Sequence, residues 1–311
     1  MFQSDNAPLS VPAGLADLIV ADARLATIAT GFHFTEGPIW DPRKQELLFS
    51  DMPGDVRRRW RPGDGVTEIL RPANKCNGMT LDSFGNLYVC EHSTSQLVRE
   101  APDGTRTVLA SNWQGAELNS PNDVVVRADG NVYFSDPSYG RMPVFGLERD
   151  CVLPHRGLYR VDPTGQLHLE VSDWQQVNGL CFSPDETLLY VNDSERAHIR
   201  RFEVNADGSL GAENVFAEDI GTGEFAGGIV DGMKCDELGN IWVTGPHGIW
   251  VFSPDGVHLG ILPLPEHAGN LTWGGPSWTD LFLCCSTSVY MVKTTVRGHR
   301  EGYMTGWEAA A

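Results

Sequence analysis

Positive charge is scarce in this chain. Its 23 Lys and Arg are set against 41 Asp and Glu, for a formal net charge of −18. Nucleic acids and anionic membrane surfaces are held by clustered cations, so this balance argues against both as partners. Long apolar runs are also missing: no stretch approaches the roughly 20 residues of a membrane span. Met1 to Ala16 lacks the basic segment and apolar run of a secretory leader. The expectation is a soluble, cytoplasmic protein. The seven cysteines are odd in number and contain no CxxC pair. Cys90, Cys181, Cys235, Cys284 and Cys285 sit in apolar, strand-like runs and read as buried reduced thiols, while Cys151 falls in a loop. Helical periodicity is absent as well, and the pattern throughout is of short strands broken by turn residues.

What the chain does have is repetition. Six segments open with one carboxylate or carboxamide, usually followed by a small residue, and continue as a short apolar run. The polar residues are Glu36, Asn77, Asn122, Asn178, Asp231 and Asn270, at spacings of 41, 45, 56, 53 and 39 positions. A unit of that size cannot bury its own apolar face and must stack on its neighbours. Each unit supplies four short strands. The first runs through Gly37–Asp41, Leu47–Ser50, Val56–Trp60 and Val66–Leu70. The sequence therefore predicts one all-β domain over residues 22–296, a six-bladed β-propeller with four antiparallel strands per blade. It lies between a leader at 1–21 and a tail at 297–311. Arg24 to Ala29 looks like a strand without a blade, and the expectation is that it closes the ring as the outer strand of the last one. Trp40, Trp242, Trp250 and Trp273 read as packing between blades.

In such a meander the loops entering the innermost strands share one face of the disc with the loops joining second and third strands. The six polar residues would line that mouth. Around them would stand Asp51, His92, Asp136, Tyr139, Asp193 to Ala197 and Pro246-His247. Asp136 to Arg156 is by far the longest of these loops, and a loop of that length in a compact repeat suits a functional cover. Asn-Gly and Asp-Gly are ordinary turn dipeptides. A turn, however, does not require Glu36 or Asn122-Asp123 in the same register. Glu36 and Asp231 offer two charges, and Asn122 and Asn178 offer carbonyl oxygens. That all-oxygen set suits a hard divalent cation, Ca²⁺ best, with Zn²⁺ or Mn²⁺ as other occupants. Asn77 and Asn270 would complete the ring and bind substrate hydroxyls or water, with His92, Asp136 and Tyr139 as further substrate contacts.

The ordered set Thr35-Glu36-Gly37-Pro38, Ser120-Pro121-Asn122-Asp123, Asn178-Gly179-Leu180, Asp231-Gly232-Met233 and Asn270-Leu271-Thr272-Trp273-Gly274-Gly275 resembles the regucalcin/gluconolactonase family of metal-dependent lactonases. The likeness runs from about Gly31 to about Val292. It implies a metal in the central channel on Glu36, Asn122, Asn178 and Asp231, a sugar lactone as substrate, and Asp231 as the base that takes a proton from water. Diisopropylfluorophosphatase and paraoxonase place similar ligands similarly. The chain departs from regucalcin-like members at Ser120, where they carry an Arg that holds the sugar. Cys90-Glu91-His92 and Ser135 to Gly140 look closer to the bacterial gluconolactonase branch. Other readings are a phosphotriesterase or different esterase on the same site, and a propeller that binds without catalysis.

Overall fold

The computed structural model describes residues 6–223 and 227–299. Its strands form six four-stranded antiparallel units in a ring, with the innermost strands of successive blades side by side. The first blade is Thr35–Asp41, Glu46–Asp51, Val56–Arg61 and Gly65–Leu70. The innermost strands of the second to sixth blades are Cys76–Leu81, Val124–Val126, Val177–Phe182, Met233–Cys235 and Ala268–Gly274. These strands are buried at every residue, because each is covered on both faces by neighbouring blades. Outer strands such as Gly65–Leu70 are mostly exposed. Among the described residues no helix is long and apolar enough to cross a membrane.

Aromatic side chains join blade to blade. Trp40 stacks on Phe282 at 5.4 Å, and Tyr133 meets Phe182 edge-on at 5.4 Å, as Trp242 does Trp273 at 5.3 Å. Trp250 differs: it stacks on His258 of its own blade at 4.7 Å, and its indole N–H donates to the Pro246 carbonyl.

Ring closure follows the expected route. Arg24–Thr30 pairs with Ser288–Lys293, Ala26 opposite Met291 and Thr30 opposite Ser288, as the fourth strand of the sixth blade. Asn6–Pro8 adds a fifth strand, and Leu15, Leu18 and Ile19 are buried in the same core. The described part of the expected leader therefore packs on the propeller, with residues 1–5 outside the described range. At the other end, the amides of Arg297 and His299 donate to Glu237 Oε1 and the Cys235 carbonyl, each at 2.9 Å. Residues 300–311 of the expected tail lie outside the described residues.

The glycine that follows four of the six polar residues has a purpose the sequence pattern did not reveal. A Cβ on Gly179 would stand 2.2 Å from the Asp231 carbonyl oxygen, and one on Gly37 would stand 1.9 Å from that of Asn77. On Gly78 it would be 2.6 Å from the Asn122 oxygen, and on Gly232 2.1 Å from Asn270 Cγ. Each glycine admits the next blade's polar residue, its carbonyl for Gly37, Gly78 and Gly179 and its side chain for Gly232. Read as turn residues, these positions are close-packing residues, and only Gly37 among the four also needs a left-handed φ, of 51°.

Candidate active site

β-Bulges aim several of the polar side chains inward. The ladder register shifts between Glu36 and Ile39, Cys76 and Met79, Val177 and Leu180, and Ala268 and Asn270, at the entry to the innermost strand in each case. Asn122 and Asp231 lie just before theirs. The Asn122 amide donates to the Ser135 carbonyl at 2.9 Å, and that of Asp231 to Thr244 Oγ1 at 3.0 Å.

Glu36, Asn77, Asn122, Asn178 and Asp231 converge on one cavity of about 210 Å³ at the mouth of the ring. His92 and Tyr139 line it too, as do Phe34, Met52, Phe145, Ile229 and His267. Glu36, Asn77, Asn122 and Asn178 are at most about 5% exposed, and Asp231 is half-buried.

The electrostatics of this cluster are dominated by burial and like charge. Burial, and then the charges of Glu36 and Asp123, push the Asp231 carboxyl well above the usual carboxylate range. Burial pushes Glu36 up to about 7; the Gly37 amide at 2.6 Å and Asn270 Nδ2 at 3.1 Å oppose this, and the charge of Asp123 adds to it. Two carboxylates that resist ionising together would be stabilised by a positive charge held near both. The amides are turned to help. Asn178 Nδ2 donates to Ser194 Oγ at 3.0 Å, Ser194 donates on to the Val230 carbonyl at 2.6 Å, and Asn178 Oδ1 is buried without a protein partner. Asn77 Oδ1 is likewise buried and unpartnered. Among the described residues no three His, Cys, Asp or Glu side chains gather as a metal-binding group. The donors here are two carboxylates supplemented by amide oxygens, a composition that fits an oxygen-seeking ion better than zinc.

Two of the expected substrate contacts do not line this cavity. Asp136 is fully buried and does not line the cavity. It accepts the backbone amides of Asn119 at 2.9 Å and Ser120 at 2.7 Å, clamping the loop that enters its own blade. Asp51 does the same for His33 at 3.0 Å, and Asp193 for Gln175 at 2.8 Å and Gln176 at 3.1 Å. Asp136 is thus the third-blade copy of a repeated clamp. Asn270 stands behind Glu36: its Nδ2 holds Glu36 Oε2, and its Oδ1 accepts the Leu271 amide at 2.9 Å.

The long loop after Asp136 does cover the mouth and carries Tyr139 and Phe145 into it. Phe145 meets Phe34 edge-on at 5.9 Å. Lys75 Nζ holds the Val144 carbonyl at 2.8 Å, and Arg149 reaches Ser95 Oγ at 2.7 Å. The Tyr139 phenol is pushed up by burial, against a hydrogen bond to Ser194, and by the nearby Asp231 charge, so it stays protonated. His92 is fully buried, and burial lowers its imidazole to about 4, so the ring is neutral.

Asp123, absent from the expected set, is buried beside the site with Oδ2 unpartnered, and its charge acts on both Glu36 and Asp231. It occupies the place that glycine holds in four other repeats, a departure visible in the sequence. Phe34, Met52, Phe145, Ile229 and His267 carry no repeat signature and are brought in by loops.

Comparison with known proteins agrees with this architecture. The SMP-30/Gluconolactonase/LRE-like region matches residues 34–287. A gluconolactonase of Zymomonas mobilis is 32% identical over 297 residues, covering 88% of this chain and 82% of its own length. A solved structure described as a putative gluconolactonase superposes with a TM-score of 0.86 at 32% identity, over 95% of this chain and all of its own. A gluconolactonase structure from Xanthomonas campestris gives 0.83 at 33% identity, over 94% and 96%. The chain belongs to the SMP-30/gluconolactonase/LRE-like family.

Proposed function

We propose that this chain hydrolyses a sugar lactone of the gluconolactone type to its aldonic acid, at a divalent cation held by Glu36, Asn122, Asn178 and Asp231. The chain is a lactone-hydrolysing enzyme by its relatives, two of which are gluconolactonases at about a third identity. The observation that carries the metal reading is the pair of mutually opposed carboxylates beside the unpartnered Asn178 Oδ1. Calcium suits that donor set best. When bound, the cation would polarise the lactone carbonyl and stabilise the charge that develops on its oxygen.

The protein's own groups supply the rest. Asp231, half-buried at the cavity, takes a proton from the attacking water. Water oxygen bonds to the acyl carbon, the ring C–O bond breaks, and the proton returns to the ring oxygen as it leaves. Phe34, Met52, Phe145 and Ile229 form an apolar wall that limits bulk water around the reacting ester. The protonated Tyr139 hydroxyl and the amides of Asn77 and Asn122 face a polyhydroxylated substrate. No disulfide joins the seven cysteines, in keeping with a reducing, cytoplasmic setting.

Asp231→Asn tests this reading. Lactone opening, followed by acid release, is expected to fall about 10²- to 10⁴-fold in kcat, the range for loss of a general base. A variant within threefold of the parent would remove Asp231 from the mechanism.

A further inference from the structure

A chain of hydrogen bonds runs from the cover loop to the cavity through His92. Its Nδ1 lies 2.9 Å from the Phe145 carbonyl oxygen, and its Nε2 lies 3.2 Å from Asn77 Nδ2. A carbonyl only accepts, so Nδ1 must carry the proton. In a neutral ring Nε2 is then bare and accepts from the Asn77 NH₂. The other end of that amide, Asn77 Oδ1, is buried, has no protein partner and belongs to a residue that lines the cavity. The polarity of the chain is set from the loop inward: carbonyl, N–H, bare nitrogen, NH₂, and an acceptor oxygen left for the ligand. Packing fixes the ring as well. A Cβ on Gly140 of the cover would stand 2.7 Å from His92 Cβ and Cγ, and Arg149 Nη2 holds the His92 carbonyl at 3.3 Å.

We propose that Asn77 Oδ1 accepts a hydrogen bond from a hydroxyl of the polyhydroxylated substrate, and that His92 is a positioning residue that fixes this amide, with the Phe145 carbonyl fixing His92. The inference rests on the lactone reading above and assigns the polyol-recognising acceptor within it. It gives His92 no part in proton transfer, because both ring nitrogens are engaged by protein groups. It also ties recognition to the cover, because the Phe145 peptide that orients His92 is attached to the ring that walls the site.

Three variants separate these roles: Asn77→Ala, His92→Phe and His92→Gln. Glutamine can present an oxygen to Asn77 and an NH₂ to Phe145, reproducing the polarity of the ring, and phenylalanine cannot. The substrates are D-glucono-1,5-lactone and δ-valerolactone, which has the ester and ring but no hydroxyl. In Asn77→Ala and His92→Phe the preference for gluconolactone in kcat/KM should fall about tenfold or more, chiefly through KM, as for loss of a hydrogen bond in a desolvated site. His92→Gln should recover it to within about threefold. Equal losses on both lactones, or a hundredfold fall in kcat shared by both His92 variants, would overturn the proposal in favour of a general base or mere support of the fold. Nitrogen-15 spectra of the intact protein give a readout independent of activity. His92 should show the Nδ1–H neutral tautomer at pH 7, and an Nε2–H tautomer or an imidazolium would refute the relay. If the parent protein opens neither lactone, the lactone reading fails, and the tautomer still decides whether the relay exists.

Discussion

Replacing Gly179 with alanine would place a methyl carbon 2.2 Å from the Asp231 carbonyl oxygen and 3.0 Å from Asn192 Nδ2. Those two atoms are themselves hydrogen-bonded at 2.6 Å, so the methyl group enters at a bond between two blades. The first is backbone, and Asn192 is a short, fully buried side chain held by that bond, so the blades must separate to admit the methyl group. Overpacking of this kind costs about 3 kcal/mol, the upper part of its usual range. With an unfolding entropy of about 2.1 cal/mol/K per residue, that corresponds to a fall in melting temperature of about 5 °C. Because the displaced backbone is that of Asp231, kcat should fall as well, by about tenfold or more. Gly211→Ala is the control: its Cβ would meet nothing closer than 3.4 Å and its φ is not left-handed. It should be neutral or slightly stabilising. Thermal unfolding and acid release on the two variants check this. A Gly179→Ala protein that melts within about 1 °C of the parent at full activity would refute the argument that close approach, not turn formation, demands the glycine.

Linkage between protons and cation gives another expectation. The raised carboxyl of Glu36 contributes stability to the cation-free protein below its unfolded value near 4.5, and this is lost as pH rises through about 7. A bound cation favours the ionised form, so the gain in melting temperature on adding Ca²⁺ should be larger at pH 8 than at pH 5.5. The difference is about 2 kcal/mol, and binding near pH 6.5 should release protons measurable by calorimetry in buffers of different ionisation enthalpy. Glu36→Gln should abolish most of that pH dependence and weaken Ca²⁺ binding at least tenfold; an unchanged affinity would take Glu36 out of the ligand set. Asp136→Ala should lower the melting temperature through two orphaned backbone amides, about 2 to 4 kcal/mol together, while leaving KM close to that of the parent. A KM effect without loss of stability would return Asp136 to the substrate site.

The parts of this molecule that repeat were legible in the sequence. One polar residue opening an apolar run, six times over, pointed to the blades and to six inward residues, of which Glu36, Asn77, Asn122, Asn178 and Asp231 line the cavity, and the bladeless strand expected at Arg24 to Ala29 closes the ring. Periodicity alone could not separate a residue that faces the cavity from one that braces it. Asn270 keeps the register of the ring, yet its amide is consumed by Glu36 and the Leu271 amide. Asp136 keeps the register of Asp51 and Asp193, which marks it as a clamp, but only the loop amides opposite show what it holds. The relay through His92 and the wall built by Phe145 depend on a long non-repeating loop folding back over the mouth, and nothing local in their sequence announces that return.

The central claim is that two opposed carboxylates and inward amide oxygens form a cation site on which lactone opening depends. The direct test strips the protein with EDTA, removes the chelator, and follows acid release from gluconolactone as Ca²⁺ is titrated back. Activity should fall to near the uncatalysed rate on chelation and return in a single saturable phase, in step with the rise in melting temperature that marks binding to the folded state. Full activity in the stripped protein, with no change in melting temperature on adding Ca²⁺, Mn²⁺ or Zn²⁺, would contradict it.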